Sequence, residues 1–133
     1  MDGEILFRAK RIDTGEWVEG LPSYDASGDI TEIETVDCGF ITVDPATICQ
    51  YIGLTDRNDQ KIFVGNVVLR EVRGGTHKKG QVVRNATGTC GFWLKCADGE
   101  YGIFDTGEGK SIIDEVIGNI FDNPELLEMD VED

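Results

Sequence analysis

Short runs of alternating apolar and polar residues, each ended by a turn signal, constrain this chain more than any other feature. The run Ile30–Glu34 alternates β-branched and polar residues after the turn-forming sequence Ser27-Gly28-Asp29, and the next run, Cys38–Val43, ends at Asp44-Pro45. Successive side chains of a strand point to opposite faces, so a period of two indicates extended structure. Short runs closely spaced by turns predict a mainly β protein of antiparallel strands that includes a small barrel.

The same pattern predicts strands along the whole chain. The N-terminal ones are Ile5–Ala9, Glu16–Gly20, Ile30–Glu34 and Cys38–Val43. The later ones are Val67–Val72, Gly80–Arg84, Gly91–Cys96, Glu100–Phe104 and Val116–Phe121. Helix is predicted only as a short C-terminal turn, because Asn123 can cap and Pro124 fits the first helical position. Ser111–Glu115 is compatible with a second short helix or with a loop.

Two longer runs have a more specific pattern. In Gln50–Asn66, a strand pattern leads into Asp56-Arg57-Asn58-Asp59, whose side chains tolerate turn conformations, and then into a second apolar segment. The other run, Glu115–Leu127, combines the predicted last strand with the predicted helical turn. We therefore expect a strand and a reversal in the first run, and a strand followed by a helical turn in the second.

These two runs, together with Ile5–Ala9, resemble the signature of the YopX family, small proteins encoded mainly by phages and prophages. The resemblance implies coiled antiparallel sheets that include an SH3-like small barrel, and it supplies no settled biochemical activity. Where the family pattern has acidic residues, this chain has Val64 and Asn66. The loss of those acids disfavours a metal or acid–base role for the run and favours a structural one.

Length and resemblance together predict a single YopX-like domain over residues 1–133. Within it we expect an N-terminal β lobe at residues 1–46, a barrel-like lobe at 47–127 and an acidic tail at 128–133. No apolar run approaches the roughly 20 residues that cross a bilayer, and the N-terminus lacks the features of a signal peptide. We expect a protein of the bacterial host cytoplasm with no membrane partner.

The formal net charge of −14 is distributed unevenly. Acidic residues without compensating bases occupy the region from Asp25 to Asp44 and the chain from Asp122 onward, whereas basic residues concentrate around Gly74-Gly75. Core or rim packing is the favoured interpretation of the aromatic residues Trp93 and Tyr101. The alternative is that, in an SH3-like barrel, they are exposed beside this basic loop and bind a peptide, a nucleic acid or another subunit. The candidate interaction surface is Arg70, Arg73, His77, Lys78, Lys79, Arg84, Trp93 and Tyr101.

No residue is predicted to be catalytic, to bind a cofactor or to bind a metal. His77 is the single histidine, and a solvated loop position explains it better than a site that would need further ligands or a nucleophile. The cysteines are Cys38, Cys49, Cys90 and Cys96, and no two of them have zinc-site spacing, so we expect buried thiols. An EF-hand is excluded because Lys61 and Val67 stand where its glycine and bidentate acid belong.

Two functions remain compatible with these features. The first is a non-enzymatic interaction or assembly protein of phage type. It would form a homo-oligomer through exposed strand edges, or through the basic loop meeting an acidic patch. A host or phage protein is a further candidate partner. The second is an acidic DNA-mimicking inhibitor or regulator of a host nucleic-acid enzyme. Direct nucleic-acid binding is disfavoured because the overall charge repels phosphate.

Overall fold

The protein is mainly β in a computed structural model that describes residues 5–35, 37–84, 91–103 and 109–127. Its described strands pair antiparallel, and the described helical segments are 3₁₀ turns only. Backbone contacts divide the chain into two units, residues 2–51 and residues 52–133 together with Met1. The prediction of a single domain stays a prediction, and the predicted acidic tail at 128–133 lies outside the described residues.

The first unit is an antiparallel sheet in the order β4-β3-β2-β1-β5. Its strands are β1 (Phe7–Lys10), β2 (Trp17–Tyr24), β3 (Ile30–Thr35), β4 (Gly39–Thr42) and the beginning of β5 (Cys49–Thr55). The core is formed by Ala9, Ile33 and Val43, all at most 1% exposed. A single bridge joins Arg11 to Val43, so the end of β1 also contacts the chain that leaves β4.

Strand β2 is longer than predicted because it changes partners along its length. Its first residues, Trp17 to Gly20, pair with β1, whereas Leu21 to Tyr24 pair with β3. Pro22 lies in the second part, where β2 has a neighbour on one side only, and a strand tolerates the missing N–H at such a position. The sequence pattern predicted a strand only over Glu16–Gly20.

The second unit contains the end of β5 and the remaining strands. These are β6 (Lys61–Phe63), β7 (Asn66–Glu71), β8 (His77–Arg84), β9 (Phe92–Cys96), β10 (Gly99–Gly102) and β11 (Asp114–Asn119). Five of them form an antiparallel sheet in the order β10-β9-β8-β7-β11, and β6 neighbours β5. The core consists of Ile62, Val68, Val82 and Leu94, with Ile52 and Leu54 packed against it.

The C-terminal region has the predicted order of strand and helical turn. Strand β11 begins at Asp114, so Ser111 to Ile113 form the loop alternative rather than a helix. The predicted helical turn is confirmed as a 3₁₀ turn, Pro124–Leu127.

Candidate interaction surfaces

Arg70 is not part of a surface, contrary to the prediction. Its side chain is 7% exposed, and its guanidinium donates to both carboxylate oxygens of Asp114, with Nε–Oδ1 at 2.7 Å and Nη2–Oδ2 at 2.9 Å. It also donates to the carbonyl of Gly102 at 3.0 Å, and the Ser111 hydroxyl donates to Asp114 at 2.6 Å. The alternation of side chains along β7 points Arg70 toward the core, on the same face as Val68. Its positive charge is therefore neutralised by Asp114 inside the unit.

Lys78 is directly opposite Arg70 in the sheet and has its own acidic partner. Its ammonium nitrogen is 2.5 Å from Asp98 Oδ2 and 5.0 Å from the centre of the Tyr101 ring. The hydrogen bond with Asp98 raises the pKa of Lys78, and the same bond lowers the pKa of Asp98. Two cations therefore lie side by side between two acids, and Lys78 presents a partly neutralised charge.

The predicted aromatic residues do not share a surface. Tyr101 pairs with Leu94 and Gly102 pairs with Trp93, so Tyr101 and Trp93 point to opposite faces of the sheet. Trp93 is paired with Val83 on the face that also carries Lys79 and His77. Arg73 lies in the exposed turn Arg73–Gly75, and Arg84 is exposed at the end of β8. The eight predicted residues are thus divided among the core, two faces and a turn.

Asp56, in the signature run, is fully buried and holds three backbone amides. Its Oδ1 accepts from the N–H groups of Asn58 at 2.8 Å and Gln60 at 2.9 Å, and its Oδ2 accepts from Val116 at 2.8 Å. The first two bonds close the turn, while the third attaches that turn to β11. Asp59 adopts φ of 65°, a left-handed conformation that Asp tolerates better than most residues.

Amide side chains perform the same task in the rest of the signature. Asn66 is 2% exposed, and its Oδ1 accepts from Phe63 N–H at 2.7 Å. The side-chain oxygen of Asn119 accepts from the N–H groups of Phe121 and Asp122, both at 2.9 Å. These side-chain oxygens accept hydrogen bonds from backbone amides and thereby stabilise the turns.

The cysteines differ from one another in exposure. Cys38 is exposed, contrary to the prediction of buried thiols, because it precedes the edge strand β4. Cys49 is buried as predicted, and burial raises the pKa of its thiol to about 11. Cys96 is half-buried, and Cys90 lies outside the described residues.

The outer face of the first sheet carries exposed apolar side chains that sequence reasoning missed. Leu21 and Phe40 flank Glu34 in one cross-strand row, and they are 48% and 59% exposed. Ile33 and Ile41 are neighbours on the opposite, core-facing side. Successive residues of a strand point to opposite faces, so Phe40 must face outward once Ile41 faces the core. Deciding which of the two faces the core would have predicted this exposure.

The same outer face has basic residues at its other end. Lys10 is paired with Trp17, and the Arg8 guanidinium lies 4.3 Å from the centre of the Trp17 ring. The Lys10 ammonium lies 5.5 Å from that centre, so both cations stack on one aromatic side chain.

A groove lies beside β4, between that strand and the turn that follows β1. It has a volume of about 480 Å³ and is lined by Arg11, Ile12, Asp13, Cys38, Phe40, Ile41 and Thr42. Arg11 and Asp13 form a two-bond ion pair at 2.9 and 3.0 Å. This bond raises the pKa of Arg11 and lowers that of Asp13.

Over residues 5–35, 37–84, 91–103 and 109–127, no group of three His, Cys, Asp or Glu side chains is placed to hold a metal ion. Within the same part of the chain, no helix has the length and apolar character to cross a membrane.

Comparison with known proteins identifies the family and supports the fold. The family model described as YopX protein matches residues 6–128. The crystal structure of protein EF1440 from Enterococcus faecalis is similar, with 23% sequence identity, a TM-score of 0.60, and coverage of 93% of this chain and 98% of that one. A search of curated proteins gives no match.

Proposed function

The chain belongs to the YopX protein family, and from this premise we propose that it is a non-enzymatic interaction or assembly protein of the phage and prophage type, acting in the cytoplasm of the bacterial host. The observation that carries the proposal is the outer face of the first sheet. Its exposed Leu21 and Phe40 are large apolar side chains in one row on a pleated surface. Large exposed apolar side chains on one sheet face, here on either side of Glu34, are a feature of protein interaction sites.

The order β10-β9-β8-β7-β11 supports a finer assignment of the second unit to an SH3-like small barrel. In that architecture the last strand pairs with the first of a meander, as β11 does with β7. The bond from Arg70 in β7 to the Gly102 carbonyl in β10 also supports a strongly coiled sheet, because these strands are not neighbours in the sheet.

The form of assembly that we propose is a homo-oligomer joined through the outer face of the first sheet. We expect sedimentation equilibrium to show concentration-dependent association, and Leu21→Ser to raise the dissociation constant at least about tenfold, because each copy would bury this side chain. Ile112→Ser is the matched control, since Ile112 is 55% exposed in the other unit. A monomer at all concentrations and salt levels, or equal effects of both variants, would contradict this proposal.

A second candidate is a DNA-mimicking inhibitor or regulator of a host nucleic-acid enzyme. The observation that favours it is the stretch between Arg11 and Arg57, which contains no Lys or Arg while acidic residues recur throughout. On β3, Glu32 and Glu34 project from the same face at a spacing of two residues. Regularly spaced carboxylates would occupy a basic groove shaped for phosphates.

A further inference from the structure

We propose that the groove beside β4 binds an extended basic segment of a partner protein, which adds to the first sheet as a new strand. The proposal deepens the interaction function and rests on it, and it uses the edge of the sheet, where Phe40 belongs to both the groove and the outer face. Three independent features carry it: the Phe40 backbone groups at the edge of the sheet, a pair of exposed apolar side chains and the charge of the surroundings.

The backbone of β4 offers hydrogen-bonding groups along the groove. Strand β4 ends the sheet order, and Val43 N–H donates to the Thr31 carbonyl in β3. In contrast, the Thr42 carbonyl faces away from β3 and accepts from Ile12 N–H at 3.1 Å. Because successive peptide groups alternate between the two edges of a strand, the N–H and C=O of Phe40 also face the groove. A peptide at this edge would continue the pairing that Ile12 begins.

Apolar side chains provide a place for one side chain of the incoming strand. Phe40 and Ile12 line the groove and are 59% and 63% exposed. An apolar residue placed between them would remove area from water on both partners. An alternating segment would satisfy this contact and keep its polar residues on the other face.

The charge around the groove favours a basic partner. Arg11 lies in the groove wall, but its charge is balanced by the two-bond pair with Asp13. The acids Glu34, Asp37 and Asp44 remain near β4, within a stretch that has no basic residue. Lys or Arg side chains on the incoming strand would be attracted to this edge, especially at low salt.

A second copy of this chain does not supply such a segment. Its most basic strand, β8, lies between β7 and β9, so both of its edges are already paired. Two β4 strands paired with each other would bring together two copies of a segment that has Asp37 before the strand, Asp44 after it and no basic residue between them. Like charges on adjoining strands are destabilising, which favours a different protein as the partner.

A labelled ten-residue peptide that alternates valine and lysine is a direct probe, with fluorescence anisotropy on the full chain as the measurement. We expect saturable binding that weakens with salt. Phe40→Ala and Ile12→Ala should each weaken it about fivefold or more. Tyr24→Ala is the matched control, because Tyr24 is 64% exposed in the same unit but does not line this groove.

Two control peptides separate strand addition from simple charge attraction. A valine–glutamate peptide should not bind, and a valine–lysine peptide with its four central amides N-methylated should lose binding because it cannot pair with the edge. Equal binding of either control, no binding of the valine–lysine peptide, or an unchanged affinity for Phe40→Ala would overturn the proposal. If the peptide fails but self-association sensitive to Leu21→Ser is present, the proposed function stands and only the groove assignment falls.

Discussion

At the scale of single residues, the signature acts through side chains that bind backbone. Asp56 closes its turn by accepting from the amides two and four residues ahead, Asn58 and Gln60. Asp25 makes the same pattern, accepting from Ser27 at 2.8 Å and Asp29 at 3.0 Å, but it lies on the surface. Comparison of Asp56 with Asp25 therefore separates the contribution of turn closure to stability from the contribution of burial.

We expect Asp56→Ala to lower the free energy of unfolding by about 3 kcal/mol or more, because it leaves buried amides without an acceptor. Asp25→Ala should cost about 1 kcal/mol or less, since water replaces the lost acceptor. Urea unfolding of both variants measures the difference. Equal, small losses of unfolding free energy in the two variants would show that the hydrogen bonds of Asp56 do not stabilise the fold more than those of Asp25.

At the scale of elements, close packing fixes the C-terminal turn against β11. A Cβ atom on Gly118 would lie 2.6 Å from Asn123 Oδ1 and 2.8 Å from Leu126 Cδ1. The 3₁₀ turn Pro124–Leu127 therefore packs so closely here that a Cβ atom would force the Asn123 and Leu126 side chains to move. The run Glu115–Leu127 folds back on itself, and Gly118 provides the space for that close contact.

Gly118→Ala is expected to destabilise the protein by roughly 1–3 kcal/mol, because the Asn123 and Leu126 side chains must leave their present packing. Gly91→Ala is the control, since the nearest atom to its Cβ would be Trp93 Nε1 at an ordinary 3.8 Å. Thermal unfolding followed by circular dichroism compares the two. A Gly118→Ala protein as stable as the parent would mean that the turn does not depend on this contact.

At the scale of the whole molecule, the charge of −14 governs which partners approach. If the second candidate function is correct, double-stranded DNA should displace proteins that the immobilised chain captures from bacterial lysate. Glu32→Gln with Glu34→Gln should reduce that capture, whereas Leu21→Ser should not, because the interaction is electrostatic. Captured proteins that DNA and high salt leave in place would contradict mimicry.

The sequence by itself determined the family, the mainly β class and the positions of most strands and turns. Local signals suffice there: the alternation of Ile30–Glu34, the turn formers at Asp56–Asp59 and the capping pair at Asn123 and Pro124 each depend on neighbours in the chain. The structural role of the signature was also predictable, because Asn66 stands where an acid would be needed for chemistry.

Only the tertiary structure decided which side chains share a surface. Arg70 is close in sequence to Lys78 and Lys79, yet it is buried because Asp114, 44 residues away, lies opposite it on β11. Trp93 and Tyr101 are separated by strand register, which depends on how β9 and β10 pair. Phe40 became a candidate contact because β4 ends its sheet. Burial, register and edge position are set by strands distant in sequence, and no local pattern specifies them.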